Sequence, residues 1–138
     1  MGSSERSPAG PRGRTGASAE MAVAEHLVSE GWVIVARNVR VGRDELDLVV
    51  RPPPPEHDRL VIVEVRSRSA PGYGAAVESV DGRKVARLYR AVAVLVRAGH
   101  ASVPPELLRR PPRIDLVCVR RARGAWVIER HLCGLAPP

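Results

Sequence analysis

Two acidic residues and one basic residue lie on two apolar stretches of this sequence, at a spacing that could support metal chemistry. Glu64 and Arg66 are two residues apart in the β-branched run 61–66, and Asp47 lies in the run 44–50. Because side chains alternate between the two faces of a strand, Glu64 and Arg66 share one face. If the two strands pair, all three side chains converge. Two carboxylates that hold a divalent ion, with a cation beside them, can cleave a phosphodiester.

Glu64 needs a counter-charge. The run 61–66 is apolar enough for a strand that is buried on both faces. An ionised carboxylate in such a strand is costly unless a metal or a cation compensates it. We therefore predict that Asp47 and Glu64 bind a divalent ion, and an ion pair with Arg66 in a purely structural cluster is the alternative. For Asp115, further along the chain, we expect a paired structural role, with membership of the site as the alternative.

The pattern of apolar residues predicts two helices and five strands. Helices are expected over residues 15–30 and from Ser79 or Asp81 to near Gly99, and strands over residues 32–36, 44–50, 61–66, 113–120 and 125–132. Asn38 is expected to cap a turn after the first strand. The order of these elements predicts an α/β sandwich with a mixed sheet, in which the first three strands form a meander and the second helix is a crossover.

The composition suits a small domain with a polyanionic partner. The 138 residues are enough for one hydrophobic core, and the formal net charge is +7 with a sequence pI near 10.9. Lys84 is the only lysine among 22 basic residues, which also indicates a bias toward arginine codons. The few aromatic residues argue against a platform that stacks on bases, and favour contacts to the phosphate backbone.

Arginines of the second predicted helix form a stripe on the side away from its apolar face. The stripe consists of Arg83, Arg87, Arg90 and Arg97, and Lys84 lies at the flank of the apolar face. A solvated charged face and a surface that contacts the nucleic-acid backbone are both open interpretations. The residues predicted to bind nucleic acid are Arg68, Arg83, Lys84, Arg87 and Arg90.

One domain is expected over residues 13–134, between a disordered arm (1–12) and a short tail (135–138). No apolar stretch reaches membrane-spanning length and no leader precedes a cleavage site, so we expect a cytoplasmic protein. Cys118 and Cys133 lack the spacing of a metal-binding pair and fall in or beside predicted strands. We expect both to be buried thiols.

Asp47, together with Glu64-Val65-Arg66, resembles the PD-(D/E)xK signature of the restriction-endonuclease-like superfamily. More of the chain resembles one branch, the YraN-like family of small bacterial proteins similar to Holliday junction resolvases. The matching motifs occur in the family's order at residues 16–20, 37–38, 45–48, 63–68, 80–84 and 113–117. Two positions depart from the pattern. Arg66 replaces the superfamily's lysine, and Asp44 stands where the family usually has glycine.

The resemblance implies a restriction-endonuclease-like αβββαβ core, a central mixed β-sheet flanked by helices, plus one additional C-terminal strand. It implies a site of Glu20, Asp47, Glu64 and Arg66, with Mg²⁺ or Mn²⁺ held by Asp47 and Glu64. Glu20 falls among apolar residues of the first helix, and a glutamate that reaches to solvent from the edge of that face is the alternative. The implied substrate is structured or branched DNA. A homodimer is also implied, because resolvases of this fold act on two-fold symmetric junctions.

Three functions stay open at this point: a metal-dependent endonuclease, a DNA-binding module without catalysis, and a protein-interaction subunit whose acidic cluster is vestigial. Arg66 affects the choice, because arginine keeps its proton and cannot activate water as a buried lysine could. Arginine can still stabilise charge on a phosphate in the transition state. If a base is required, Lys84 is the only lysine in the chain that could replace it.

Overall fold

Five strands form one mixed sheet, and a helix packs on each of its faces. The structure is a computed structural model that describes residues 11–68 and 82–138. Its elements are α1 (Pro11–Ser29), β1 (Val33–Val41), β2 (Asp44–Arg51), β3 (Val61–Arg68), α2 (Gly82–Ala98), a short 3₁₀ helix (Pro105–Leu108), β4 (Arg113–Ala122) and β5 (Ala125–Leu132).

The strands are arranged in the order β1-β2-β3-β4-β5. β1, β2 and β3 form an antiparallel meander, whereas β3 and β4 are parallel. A parallel pair needs a long crossover, and the chain supplies it with α2. β5 then returns antiparallel to β4 and forms the edge of the sheet. The predicted α/β fold, with a mixed sheet flanked by helices and an additional C-terminal strand, is confirmed.

β3 is buried from both sides, which explains why its first residues are apolar without alternation. Val61 and Val63 pack in a core formed with α1, where they meet Leu27. Ile62 packs in the opposite core, formed with α2, together with Leu95. Each of these side chains is fully buried, and burying a side chain of this size contributes about 1.5–3 kcal/mol. The next residue of the strand is the acid Glu64, so the charge lies directly beyond the most apolar part of the sheet.

The side chains of β1 and β2 change face at one rung of their ladder. Val39 pairs with Leu46 and both belong to the α2 core, whereas Leu48 belongs to the α1 core. In a regular strand Leu46 and Leu48 would share a face, because they are two residues apart. The change therefore occurs at the intervening rung, where the register places Asn38 opposite Asp47. Asn38 has a left-handed backbone there, with φ of 50°.

The structure differs from the sequence predictions at several element ends. α1 begins at Pro11, so Arg12 is helical rather than part of an arm. β1 continues through Asn38 to Val41, because pairing with β2 holds this segment extended, and Asn38 is not a turn residue. Residues 1–10 of the predicted arm and the predicted helix caps Ser79 and Asp81 lie outside the described residues.

Asp115 anchors the C-terminal part of the chain to the sheet. Its carboxylate is fully buried and accepts hydrogen bonds from Arg113 Nε (2.8 Å) and Nη2 (2.9 Å) and from the Gly134 amide (2.9 Å). His131 Nε2 lies 2.8 Å from its Oδ2. Burial alone would raise the pKa of Asp115, but the contacts with His131, Arg113 and Gly134 outweigh it and hold the pKa below its usual value. The structural role predicted for Asp115 is confirmed.

We expect Asp115→Asn to lower the free energy of unfolding by about 3 kcal/mol at pH 7, because it leaves the Arg113 cation without its buried partner. The folded-state pKa of Asp115 lies below its unfolded-state value. Its contribution is therefore present above the unfolded-state pKa and is lost as the pH falls through the folded-state pKa. Urea unfolding should show that the difference in free energy of unfolding between wild type and variant becomes smaller below about pH 4.

Asp58 provides a matched control, because it also pairs with an arginine (Arg110, 2.9 Å) but is exposed. Asp58→Asn should change the free energy of unfolding by less than about 1 kcal/mol. Equal effects of the two substitutions would show that the buried network does not stabilise the fold as described.

Candidate metal centre

Asp47 lies where β2 and β3 stop pairing with each other. The ladder between these strands runs from the Val50–Val61 pair to the Leu48–Val63 pair. One residue further on, Asp47 Oδ2 accepts a hydrogen bond from the backbone amide of Val65 at 2.9 Å. The carboxylate thus accepts a hydrogen bond that a backbone carbonyl of β2 would accept in a continuous ladder. The two strands separate around this carboxylate.

Glu20 approaches Asp47 from α1. Its Oε1 accepts a hydrogen bond from Asn38 Nδ2 at 3.0 Å, and its carboxylate lies close enough to Asp47 to raise the pKa of Asp47. Burial is the main reason that the pKa of Asp47 is raised to about 6. The Val65 amide and the charge of Lys84 lower this pKa, whereas Glu20 raises it further. The carboxylates of Asp47 and Glu20 therefore both need a compensating positive charge at the same place.

Glu64 completes the group of acids from β3. Its side chain is only 9% exposed, and its Oε2 lies 2.8 Å from Lys84 Nζ. Its Oε1 is buried and accepts no hydrogen bond from any residue that the structure describes. Burial and the charge of Asp47 raise the pKa of Glu64, while Lys84 and Arg66 act in the opposite direction.

Asp47, Glu64 and Glu20 offer carboxylate oxygens, the ligand type that a hard divalent cation takes. Mg²⁺ and Mn²⁺ prefer carboxylate oxygens, and Glu64 Oε1 is a buried oxygen that lacks the partner such an atom normally has. The pKa values of Asp47 and Glu64 are raised mainly by burial, which disfavours their ionised forms unless a nearby positive charge compensates them. Glu20, Asp47 and Glu64 are therefore the residues that could hold a metal ion here.

Arg66 lies on the same strand face as Glu64 and acts on it through its charge. Its side chain is half-buried, and its Nε has no hydrogen-bond partner among the described residues. The cation at hydrogen-bonding distance of Glu64 is Lys84, which comes from the first turn of α2. The sequence placed Lys84 at the flank of the helix and offered it as a possible replacement for the signature lysine, but it did not predict a contact with Glu64. Its contact with Glu64 depends on how α2 crosses the sheet, which no local pattern reveals.

Basic residues of α2 line two concavities that meet at Lys84. The larger, of about 430 Å³, is lined by Arg83, Lys84, Ala86, Arg87 and Arg90. The smaller, of about 200 Å³, lies between α2 and the β1–β2 turn, and Lys84, Arg87 and Arg43 line it together with the acids Asp44 and Glu45. Arg97 is exposed at the far end of α2. Arg68 ends β3, and its side chain lies outside the described part of the chain.

A second group of possible ligands lies on the opposite face of the sheet. Asp115, His131 and Cys133 have ligand atoms within 4.8 Å of one another. The oxygens of Asp115 are already engaged by Arg113, His131 and Gly134, so this group has a complete structural explanation.

The prediction that both cysteines are buried holds for Cys118 and is wrong for Cys133. Cys133 is exposed because it follows the end of β5.

Comparisons with known proteins identify the relatives of this chain. A sequence model of the family described as "Uncharacterised protein family UPF0102" matches residues 19–119, a segment that contains all three acids. A UPF0102 protein of Sorangium cellulosum is 46% identical over 103 residues, which cover 75% of this chain and 69% of that protein. A UPF0102 protein of Nocardioides sp. is 40% identical over 121 residues, which cover 87% of this chain and 89% of that protein.

Among solved structures, that of Pyrococcus furiosus SfsA in complex with Ca²⁺ aligns with 86% of this chain and 62% of its own, at 17% identity and a TM-score of 0.39. None of the helices within residues 11–68 and 82–138 is long and apolar enough to cross a membrane.

The family match and the relatives' identities confirm the resemblance that the sequence motifs indicated. The chain belongs to the UPF0102 family, the family called YraN-like above.

Proposed function

We propose that this protein is a metal-dependent endonuclease that cleaves structured or branched DNA in the cytoplasm. The observation that carries the proposal is the buried Glu64 carboxylate, which has one oxygen on Lys84 and the other without a described partner. Asp47 adds negative charge beside Glu64, and Glu20 adds negative charge beside Asp47. Such an arrangement is costly for the fold, and a site that binds a divalent cation explains why it is kept.

Each acid has a distinct role in this proposal. Asp47 and Glu64 hold Mg²⁺ or Mn²⁺ from two strands, and Glu20 supplies a third carboxylate from α1. The bound ion would activate a water molecule and stabilise charge on the phosphate. The Val65 amide fixes the orientation of Asp47, so that its other oxygen is available to a ligand.

In this proposal Lys84 and Arg66 together perform the role that a single lysine has in the superfamily signature. Lys84 reaches Glu64 from α2 and can donate hydrogen bonds to a phosphate oxygen, to a water molecule, or to both in turn. Arg66 occupies the position of the signature lysine and provides a fixed positive charge, since arginine does not lose its proton. Together they stabilise the charge that develops on the phosphate during cleavage.

The basic concavity of α2 supports a nucleic-acid partner. Arg83, Arg87 and Arg90 line it and are all exposed, and Lys84 connects it to the acidic cluster. These side chains are suited to phosphate oxygens rather than to base edges, so binding would depend weakly on sequence. The preference for branched DNA, and a homodimer that matches a two-fold junction, follow from the resemblance to Holliday junction resolvases.

A second candidate function is nucleic-acid binding without cleavage. The salt bridge between Lys84 and Glu64 favours it, because it compensates part of the buried charge without a metal ion. The two candidates share the basic surface and differ in the use of the acids. Cleavage by the purified protein therefore separates them.

The first test is cleavage of duplex, flap and four-way-junction DNA with Mg²⁺ or Mn²⁺. We expect Lys84→Ala to reduce the cleavage rate about a hundredfold or more, as for loss of a preorganised charge-stabilising group. Arg66→Lys should keep or raise cleavage, because it preserves the charge, and Arg66→Ala should abolish it. Arg97→Ala, at the far end of α2, is the matched control.

Wild-type cleavage that is unaffected by Lys84→Ala would contradict the role given to this lysine. A wild type that cleaves none of these substrates, while still binding them, would favour the non-catalytic candidate. Cleavage that appears only in Arg66→Lys would identify a site inactivated by one exchange.

The second test concerns the basic surface. The logarithm of the DNA association constant should fall linearly with the logarithm of the salt concentration, because phosphate contacts release counterions. Arg87→Gln and Arg90→Gln should each flatten the slope by about 0.9, the amount expected for one lost phosphate contact on duplex DNA. Fluorescence anisotropy over a salt series measures the slope.

Arg110→Gln is the control for charge alone, because Arg110 is exposed, pairs with Asp58 and does not line the basic concavity. An affinity that does not depend on salt, or equal slopes in all variants, would contradict the assignment of this surface. Absence of binding at low salt would instead support a protein-interaction subunit.

A further inference from the structure

Asn38 has a left-handed backbone at the rung where the side chains of β1 and β2 change face. It is one of two residues other than glycine with positive φ in the described parts of the chain, and the other is Arg123. Arg123 lies in the two-residue turn between β4 and β5, where positive φ is expected. Asn38 lies inside β1, between rungs that pair normally with β2. Such an outlier at a non-glycine residue often indicates a functional constraint.

The side chain of Asn38 gives a reason for this conformation. Its Nδ2 donates a hydrogen bond to Glu20 Oε1 at 3.0 Å. Asparagine tolerates the left-handed region better than most residues, and it carries an amide donor. Aspartate tolerates this region as well, but its carboxylate would repel Glu20. Asparagine therefore meets both requirements of the position.

The contact connects three elements of the candidate metal centre. Asn38 lies on β1 opposite Asp47 of β2, and Glu20 reaches both from α1. With Oε1 held by the amide, the second oxygen of Glu20 remains for the acidic cluster. Without this hydrogen bond, the Glu20 side chain could extend from α1 into solvent.

We propose that Asn38 is a positioning residue that holds Glu20 in place as the third oxygen ligand of the metal centre. This inference rests on the metal binding proposed above. Hydrogen-bond partners of metal ligands usually change metal affinity by about 10–100-fold when they are removed. Asn38 acts through Glu20 and needs no contact with the metal or the substrate.

Asn38→Gly is the decisive variant, because glycine keeps the left-handed backbone and loses only the amide. We expect the dissociation constant for Mn²⁺, measured by calorimetric titration, to rise about tenfold, while the midpoint of thermal unfolding does not fall. Asn38→Asp also tolerates the conformation and should weaken Mn²⁺ binding in the same direction. In the Glu20→Gln background, adding Asn38→Gly should produce no further loss, because both changes remove the same ligand.

Gly42→Asn is the matched control. Gly42 has φ of 62° in the adjacent turn, and a Cβ there would meet no atom of the described residues within 4 Å. This exchange should leave Mn²⁺ affinity unchanged. Unchanged Mn²⁺ affinity in a folded Asn38→Gly protein, or losses that add in the double variant, would overturn the inference and leave the proposed function standing. A wild type that binds neither Mn²⁺ nor Mg²⁺ would overturn both.

Discussion

Three carboxylates at the point where β2 and β3 separate are the constraint on which the rest of this structure depends. Asp47 and Glu64 are carried by strands that are buried on both faces, and Glu20 reaches Asp47 from α1. Burial raises the pKa values of Asp47 and Glu64, so the folded state bears a cost whenever they are ionised. The burial of apolar residues in β2 and β3 stabilises the fold and offsets this free-energy cost.

Neighbouring elements compensate the acids with groups of three kinds. The Val65 amide binds Asp47, the Asn38 amide binds Glu20, and the Lys84 ammonium binds Glu64. None of these contacts reaches the second oxygen of Glu64. The incomplete compensation distinguishes this cluster from Asp115, whose carboxylate has four contacts and a lowered pKa.

Much of the fold could be predicted from the sequence, because its strands and α2 have strong local patterns. The alternation along β3 placed Glu64 and Arg66 on one face, and the two helices and five strands follow in the expected order. Lys84 could not be assigned to Glu64, since that contact depends on the angle at which α2 crosses the sheet. Asn38 was expected in a turn, because asparagine between short apolar segments usually indicates one. Only the register of β1 and β2 places it opposite Asp47.

The central claim is that a divalent ion must balance the negative charge of the acidic cluster. The most direct test compares the unfolding of wild type and Asp47→Asn with and without Mn²⁺. In EDTA at pH 7.5 the variant should be at least as stable as the wild type, because it removes a carboxylate whose pKa is raised to about 6. Mn²⁺ should then stabilise the wild type, by an amount that grows with its concentration, and should leave the variant nearly unchanged. A variant that is less stable in EDTA, together with an equal response of both proteins to Mn²⁺, would show that the cluster is structural and contradict the account.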